Sequence, residues 1–190
     1  MNQRFYRTLL KQKKAILKAF LTFAFIVLTA VVAAPPAVAV FSAANGTKRK
    51  LPIYCVETDK PQVAISFDAA WGADDTDTLL AILEEKGVKA TFFLCGYWVE
   101  KYPEEVKTIH AAGHDIGNHG DTHAHGAQLN LAQNQKEIKG VHDKVNTLLG
   151  IDINLYRPPY GEYNNVVVEA AESLGYYTIQ WDVDVLDTKI

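Results

Sequence analysis

From Gln62 onward the chain alternates short apolar runs with longer stretches in which apolar residues recur every three or four positions. That is the pattern of strands and amphipathic helices taken in turn. "QVAISFDA" (62–69) reads as a first strand, and "DDTDTLLAILEEKG" (74–87) as a helix capped by the group Asp74, Asp75 and Asp77 and closed by Gly87. "KATFFLC" (89–95) is a second strand, and the stretch 99–113 a helix with Pro103 in or near its first turn and Gly113 at its end. "HDIGNH" (114–119) reads as a short third strand, followed by the longest helix (131–150) and a strand (153–161) stopped by its prolines. A helix (164–175) and a strand (176–185) complete the series. Such alternation implies an α/β fold with helices packed around a parallel sheet. No internal repeat or low-complexity tract interrupts it.

The first fifty residues follow a different rule. Arg4, Arg7, Lys11, Lys13, Lys14 and Lys18 supply positive charge without an acidic residue, and Ala19 to Ala44 then carries no charge at all. A membrane-spanning helix needs about 20 apolar residues, whereas a cleaved signal has a shorter apolar core and small residues at its cleavage site. Both readings stand. Ala37 to Ala39 ("AVA") offers a cleavage site, while the length of the apolar run and the charge step across it favour an anchor with a cytoplasmic N-terminus. Pro35 and Pro36 would end or kink such a helix. The expected organisation is a basic cytoplasmic segment (1–18), a signal anchor or signal peptide (19–44), a linker and lead-in (45–61) and a folded domain (62–190). The domain is thereby expected outside the cytoplasm, held at the cell membrane by a single-pass helix, or secreted if the signal is cleaved.

Charge changes the picture again beyond Lys50, where 10 Lys and Arg face 22 Asp and Glu, a net charge of −12. Nucleic acid is excluded as a partner, since its binding rests on phosphate neutralisation by Lys and Arg. A monomer is expected. Cys55 and Cys95 lie in no ligand spacing and read as two unpaired thiols, one of them in a core strand.

In parallel α/β sheets functional groups collect at the carboxyl ends of the strands. Asp68, His119, Arg157 and the acidic run from Asp182 to Asp187 all fall at such ends. His119 and His123 are four residues apart, a spacing from which two imidazoles can meet one metal ion. His125 reads as a solvated neighbour and not a ligand; His110, His114 and His142 carry no assigned role. Asp68 closes an apolar strand, a costly position for a carboxylate unless it is paired or functional. Arg157, just before Pro158 and Pro159, can hold a carboxylate with its planar fork.

Taken in order, these segments resemble the motifs of the polysaccharide deacetylases that share the NodB-homology domain, carbohydrate esterase family 4. "SFDAAWGADDT" is similar to the first motif, T-F-D-D-G-P followed by Thr at a helix start, here Thr76. "HGDTH" (119–123) resembles H-[ST]-x-x-H, with Gly120 in place of the hydroxyl residue. "RPPYG" (157–161) resembles R-x-P-Y, and "DVLDT" (184–188) the D-x-x-D-W motif, with Thr188 in place of Trp. The resemblance implies a distorted (β/α) barrel and hydrolysis of an acetamide on an N-acetylated cell-wall glycan, with peptidoglycan the expected substrate. It implies a divalent metal, zinc being expected, on His119 and His123. Asp68 then corresponds to the catalytic base, Arg157 to the residue that orients it, Asp187 to the acid that holds Arg157, and Tyr160 to a backbone N–H donor toward the oxyanion. An esterase acting on O-acetyl groups would use the same residues. The "FDAAWG" form resembles deacetylases of spore-forming bacteria, which gives the expectation of a sporulation role.

Two departures bear on this. The family's third metal ligand, the second Asp of the first motif, corresponds here to Ala69; the expected ion is held by His119, His123 and water, with Asp74 or Asp75 folding back as the alternative. Trp71, where the family has Pro, suggests that the loop is rebuilt as a unit. The family's domain also continues past the fourth motif to a fifth that supplies a general acid, so a C-terminally incomplete barrel with an exposed strand edge is expected. Loss of the ligand and of the fifth motif keeps open a second reading, a glycan-binding protein without catalysis.

Overall fold

The computed structural model describes residues 48–184. The expected membrane segment, Asp187 and Thr188 lie outside the described residues. Among the described residues no helix is long and apolar enough to cross a membrane.

Five parallel strands form one sheet in the order β1-β2-β3-β4-β5: β1 (Ser66–Ala69), β2 (Thr91–Leu94), β3 (Asp115–Asn118), β4 (Leu155–Tyr156) and β5 (Tyr177–Thr178). Every strand expected from the sequence exists and every one is shorter than expected. β4 is brief because Pro158 and Pro159 carry no N–H to continue the ladder. β1 begins only at Ser66, where the register opposes it to Thr91 at the start of β2. Strand order equal to chain order is the winding of a (β/α) barrel wall, but the described residues form an open sheet, so the expected closure into a barrel is not seen among them. The outer edge of β5 is not bare, as the sequence suggested. Ile53 from the lead-in bridges Ile179, donating to the Thr178 carbonyl at 2.8 Å and accepting from the Gln180 N–H at 2.8 Å.

Helices α1 (Thr76–Glu85), α2 (Gly96–Lys101), α3 (Pro103–Ala111), α4 (Leu131–Leu149) and α5 (Asn165–Ser173) connect the strands. The single helix expected over 99–113 is two, because Pro103 occupies the first turn of α3 and Tyr102 between them leaves helical geometry (φ −127°, ψ 55°). Asp75 stands at the N-cap of α1 without a side-chain cap bond, so the expected carboxylate cap is not made. α4 is bounded as its sequence dictates: Asn130 and Gln133 form a reciprocal capping box, and Gly150 ends it in the left-handed region. Its buried Asn134, Ile138, Val141 and Val145 lie on one helical stripe. That stripe meets Trp98, Val106, Ile109, Tyr156 and Val167 in a core of fully buried side chains.

Just before β3 sits the buried His114, which has no place in the expected chemistry. The Ala90 N–H donates to its Nδ1 at 3.1 Å, so the ring proton is on Nε2 and the imidazole is neutral. Burial, and then the charge of Lys89, hold its pKa below the ordinary 6.5. The unfolded chain therefore binds the proton more readily than the folded one: this contribution to stability is complete above pH 6.5 and is lost as the pH falls toward the lowered folded value. The denaturation midpoint should decline from about pH 7 to about pH 5. His114→Gln, whose amide oxygen can accept the Ala90 bond, should show a shallower decline; an unchanged slope would count against this role for His114.

Candidate active site

Arg157 is brought to the sheet rim by β4 and is almost wholly buried. Its Nη1 donates to Asp68 Oδ1 at 2.7 Å and its Nη2 to Ser66 Oγ at 2.8 Å, so both groups on β1 grip the guanidinium. The face of the guanidinium lies over the Phe93 ring, 4.0 Å from its centroid. Phe93 can occupy that space because its register partner on β3 is Gly117, at which a Cβ would fall 2.4 Å from the ring. Arg157 Nε is buried with no hydrogen-bond partner among the described residues. Asp187, which the resemblance assigns to hold Arg157, lies outside them.

The same residue fixes a histidine through its backbone. His119 Nδ1 lies 2.8 Å from the carbonyl oxygen of Arg157, and a carbonyl can only accept, so Nδ1 carries the proton and Nε2 keeps its lone pair. Nε2 lies 3.7 Å from Asp68 Oδ2, the carboxylate oxygen that Arg157 leaves unbound. Asp68 keeps 33% of its side-chain surface exposed, which opens this pair to solvent. Burial pushes the pKa of His119 down, and burial followed by the neighbouring His119 does the same for His123. Both imidazoles are thereby favoured in the neutral form that binds metals.

His123 stands over the opening in a left-handed conformation (φ 55°). Gly120, where the family has Ser or Thr, is also left-handed (φ 79°), a conformation that a hydroxyl residue adopts only with strain. The rings of His119 and His123 are 5.1 Å apart, edge to face. The donor atoms of His119, His123 and Cys95 all lie within 4.8 Å of one another, and no other such group of three His, Cys, Asp or Glu ligands is found among the described residues. Asp74 and Asp75 do not join it. The donor set, two neutral imidazoles and a thiol, suits a zinc-like ion. Cys95 is the residue that sequence reasoning missed. It is buried and unpaired, as expected, but it directly follows β2 at the same rim as Asp68, and burial pushes its thiol up to about 12.

Tyr160 also takes a left-handed conformation (φ 60°), in the turn forced by the two prolines. Its ring stacks on His125 at 4.1 Å and meets the edge of His123 at 4.5 Å, while the exposed Trp71 lies 5.5 Å from His123. His125 faces Glu162 at 3.0 Å and is not part of the Cys95, His119 and His123 group. Trp71 is positioned by its loop, which the Trp98 indole N–H ties down by donating to the Gly72 carbonyl at 2.9 Å.

A carboxylate, an arginine and two histidines thus stand together on the carboxyl rim of a parallel α/β sheet. The sequence profile of the polysaccharide deacetylases matches residues 56–179, and the chain belongs to that family. It is 37% identical over 131 residues to a peptidoglycan-N-acetylglucosamine deacetylase of Bacillus cereus, covering 69% of this chain and 48% of that protein. It is 33% identical over 138 residues to the peptidoglycan-N-acetylmuramic acid deacetylase PdaA of Bacillus subtilis, covering 72% of this chain and 52% of the relative. The chain thus spans about half the length of these curated relatives. Among solved structures, a carbohydrate esterase family 4 pseudoenzyme of Bacillus anthracis superposes with a TM-score of 0.71 at 31% identity, over 73% of this chain and 50% of the other. A mutant of that pseudoenzyme with restored enzymatic activity matches equally well, at a TM-score of 0.71.

The packing of Phe93 on Gly117 makes the arginine clamp sensitive to a single methyl group. Gly117→Ala should force the ring aside and destabilise the domain by about 1 to 3 kcal/mol, the usual cost of overpacking a filled site. Denaturant unfolding of both proteins measures it, and equal midpoints would show that the ring has room to spare.

Proposed function

We propose that the chain is the metal-dependent domain of a polysaccharide deacetylase that removes acetyl groups from N-acetylated sugars of peptidoglycan. The observation that carries this reading is the pairing at the rim: Asp68 is clamped through Oδ1 by Arg157, and its Oδ2 faces Nε2 of His119 at 3.7 Å. The names of the relatives from Bacillus cereus and Bacillus subtilis support peptidoglycan as the substrate. The basic and apolar N-terminal segment supports a place outside the cytoplasm, at the membrane or released from it, where cell-wall glycan is found. A sporulation role remains part of the proposal only through the resemblance of its first motif.

In this mechanism Asp68 Oδ2 takes the proton of the attacking water, while Arg157 prevents the carboxylate from rotating away. His119, oriented by the Arg157 carbonyl, and His123 would hold a divalent ion, zinc by the chemistry of the donors. Such an ion supplies a Lewis acid that acidifies water and takes up charge from the acetamide oxygen. The peptide N–H of Tyr160 is the proposed second donor to that oxygen, and the stacking of its ring on His125 supports a fixed position for the turn. The carbon–nitrogen bond then breaks, the departing nitrogen takes up the proton that Asp68 accepted or one from solvent, and acetate is released with an amine left on the sugar. Tyr160, Trp71 and Tyr97 expose aromatic surface beside this centre, which suits the apolar face of a sugar ring.

A second reading is favoured by Ala69, which offers no ligand, and by the likeness to a pseudoenzyme. In that case the domain binds glycan without cleaving it. The full chain, supplied with zinc, should release acetate from peptidoglycan fragments or chito-oligosaccharides, and Asp68→Asn should lower the rate by about 100-fold or more, the range for loss of a general base. Release only from O-acetylated polymers would make it an esterase. A folded chain that releases no acetate with several divalent ions, yet is retained on peptidoglycan, would overturn the enzyme reading in favour of the second.

A further inference from the structure

We propose that Cys95 is the third protein ligand of the metal, a thiolate that takes over the place vacated by the carboxylate missing at position 69. Position 69 ends β1, and its neighbour in the sheet is the end of β2: Ala69 is in register with Leu94, and the Cys95 N–H donates to the Ala69 carbonyl at 3.1 Å. The thiol thus arises one residue further along the adjacent strand, on the same rim. Its Sγ is within 4.8 Å of both histidine donors. Zinc–sulfur and zinc–nitrogen bonds of about 2.3 and 2.0–2.1 Å in a tetrahedron place sulfur and nitrogen about 3.6 Å apart. No pair therefore has to close by more than about 1.2 Å to reach that geometry.

What Cys95 does otherwise is modest. It is fully buried, forms no disulfide, and its Sγ makes a long contact of 3.5 Å with the His119 carbonyl. It also stands within hydrogen-bonding reach of the Tyr97 hydroxyl. On metal binding the S–H bond breaks as the sulfur–metal bond forms, and the proton leaves to solvent, so the step needs no oxidant or reductant. The resulting donor set, one thiolate and two imidazoles, leaves one position of a tetrahedron for water or an acetyl oxygen, the arrangement of a catalytic rather than a structural zinc site.

This inference rests on the metal-binding part of the proposed function and is tested separately from catalysis, with cobalt(II) as a spectroscopic stand-in for zinc. The full chain should bind one cobalt(II) ion and show a sulfur-to-cobalt charge-transfer band in the near ultraviolet. Cys95→Val should abolish the band and weaken zinc binding by about 100-fold, at least as much as loss of an outer partner of a ligand costs. Ala69→Asp placed in the Cys95→Val background should restore affinity without restoring the band. Cobalt bound with no such band, and unchanged zinc affinity in Cys95→Val, would overturn the thiolate ligand while leaving a histidine metal site intact. A folded chain that binds neither ion would overturn both.

Discussion

The ion pair between Arg157 and Asp68 is the contact on which the site depends, because it joins two strands that are not neighbours in the sheet. Asp68 belongs to β1 and Arg157 follows β4, with β2 and β3 between them. A guanidinium removed from water is costly unless its hydrogen bonds and charge are met. Here the cost is offset by Asp68, by Ser66 and by the face of Phe93. The backbone of the same residue sets the tautomer of His119. One side chain and one carbonyl therefore orient both the carboxylate and the imidazole of the centre.

The intervening strands contribute by what they omit as much as by what they present. Gly117 on β3 leaves room for the Phe93 ring, and the ring in turn supports the guanidinium. At the end of β2 a thiol stands near two imidazoles where the family pattern would draw a carboxylate from β1. If that thiol serves as the proposed ligand, one donor comes from the strand next to the one that carries it in the family pattern.

Much of this was legible in the sequence, and the reasons are physical. The helix from Leu131 to Leu149 was placed by its own periodic stretch, and the structure confirms that it ends at Gly150. Asp68, His119 and Arg157 were singled out because polar residues at the ends of apolar strands stand out against the pattern, and His123 by its spacing from His119; the structure brings the four together. Strand lengths were overestimated, because hydrogen bonding stops where the neighbouring strand stops, and a single strand's composition does not record that. Cys95 escaped notice because a buried cysteine looks like any small apolar residue until the strands beside it are placed. Ser66, Phe93 and Gly117 escaped for the same reason: their roles arise only across the sheet. The Arg157 to Asp187 contact expected from the resemblance falls outside the described residues.

The most direct test of the clamp is a double-mutant cycle on unfolding free energy with Asp68→Asn, Arg157→Gln and the pair. Direct contact between the two groups predicts a coupling of about 0.5 to 3 kcal/mol, the range for residues in one hydrogen-bond and salt-bridge network. Additive effects of the two substitutions, with no coupling beyond error, would contradict the claim that this pair organises the site.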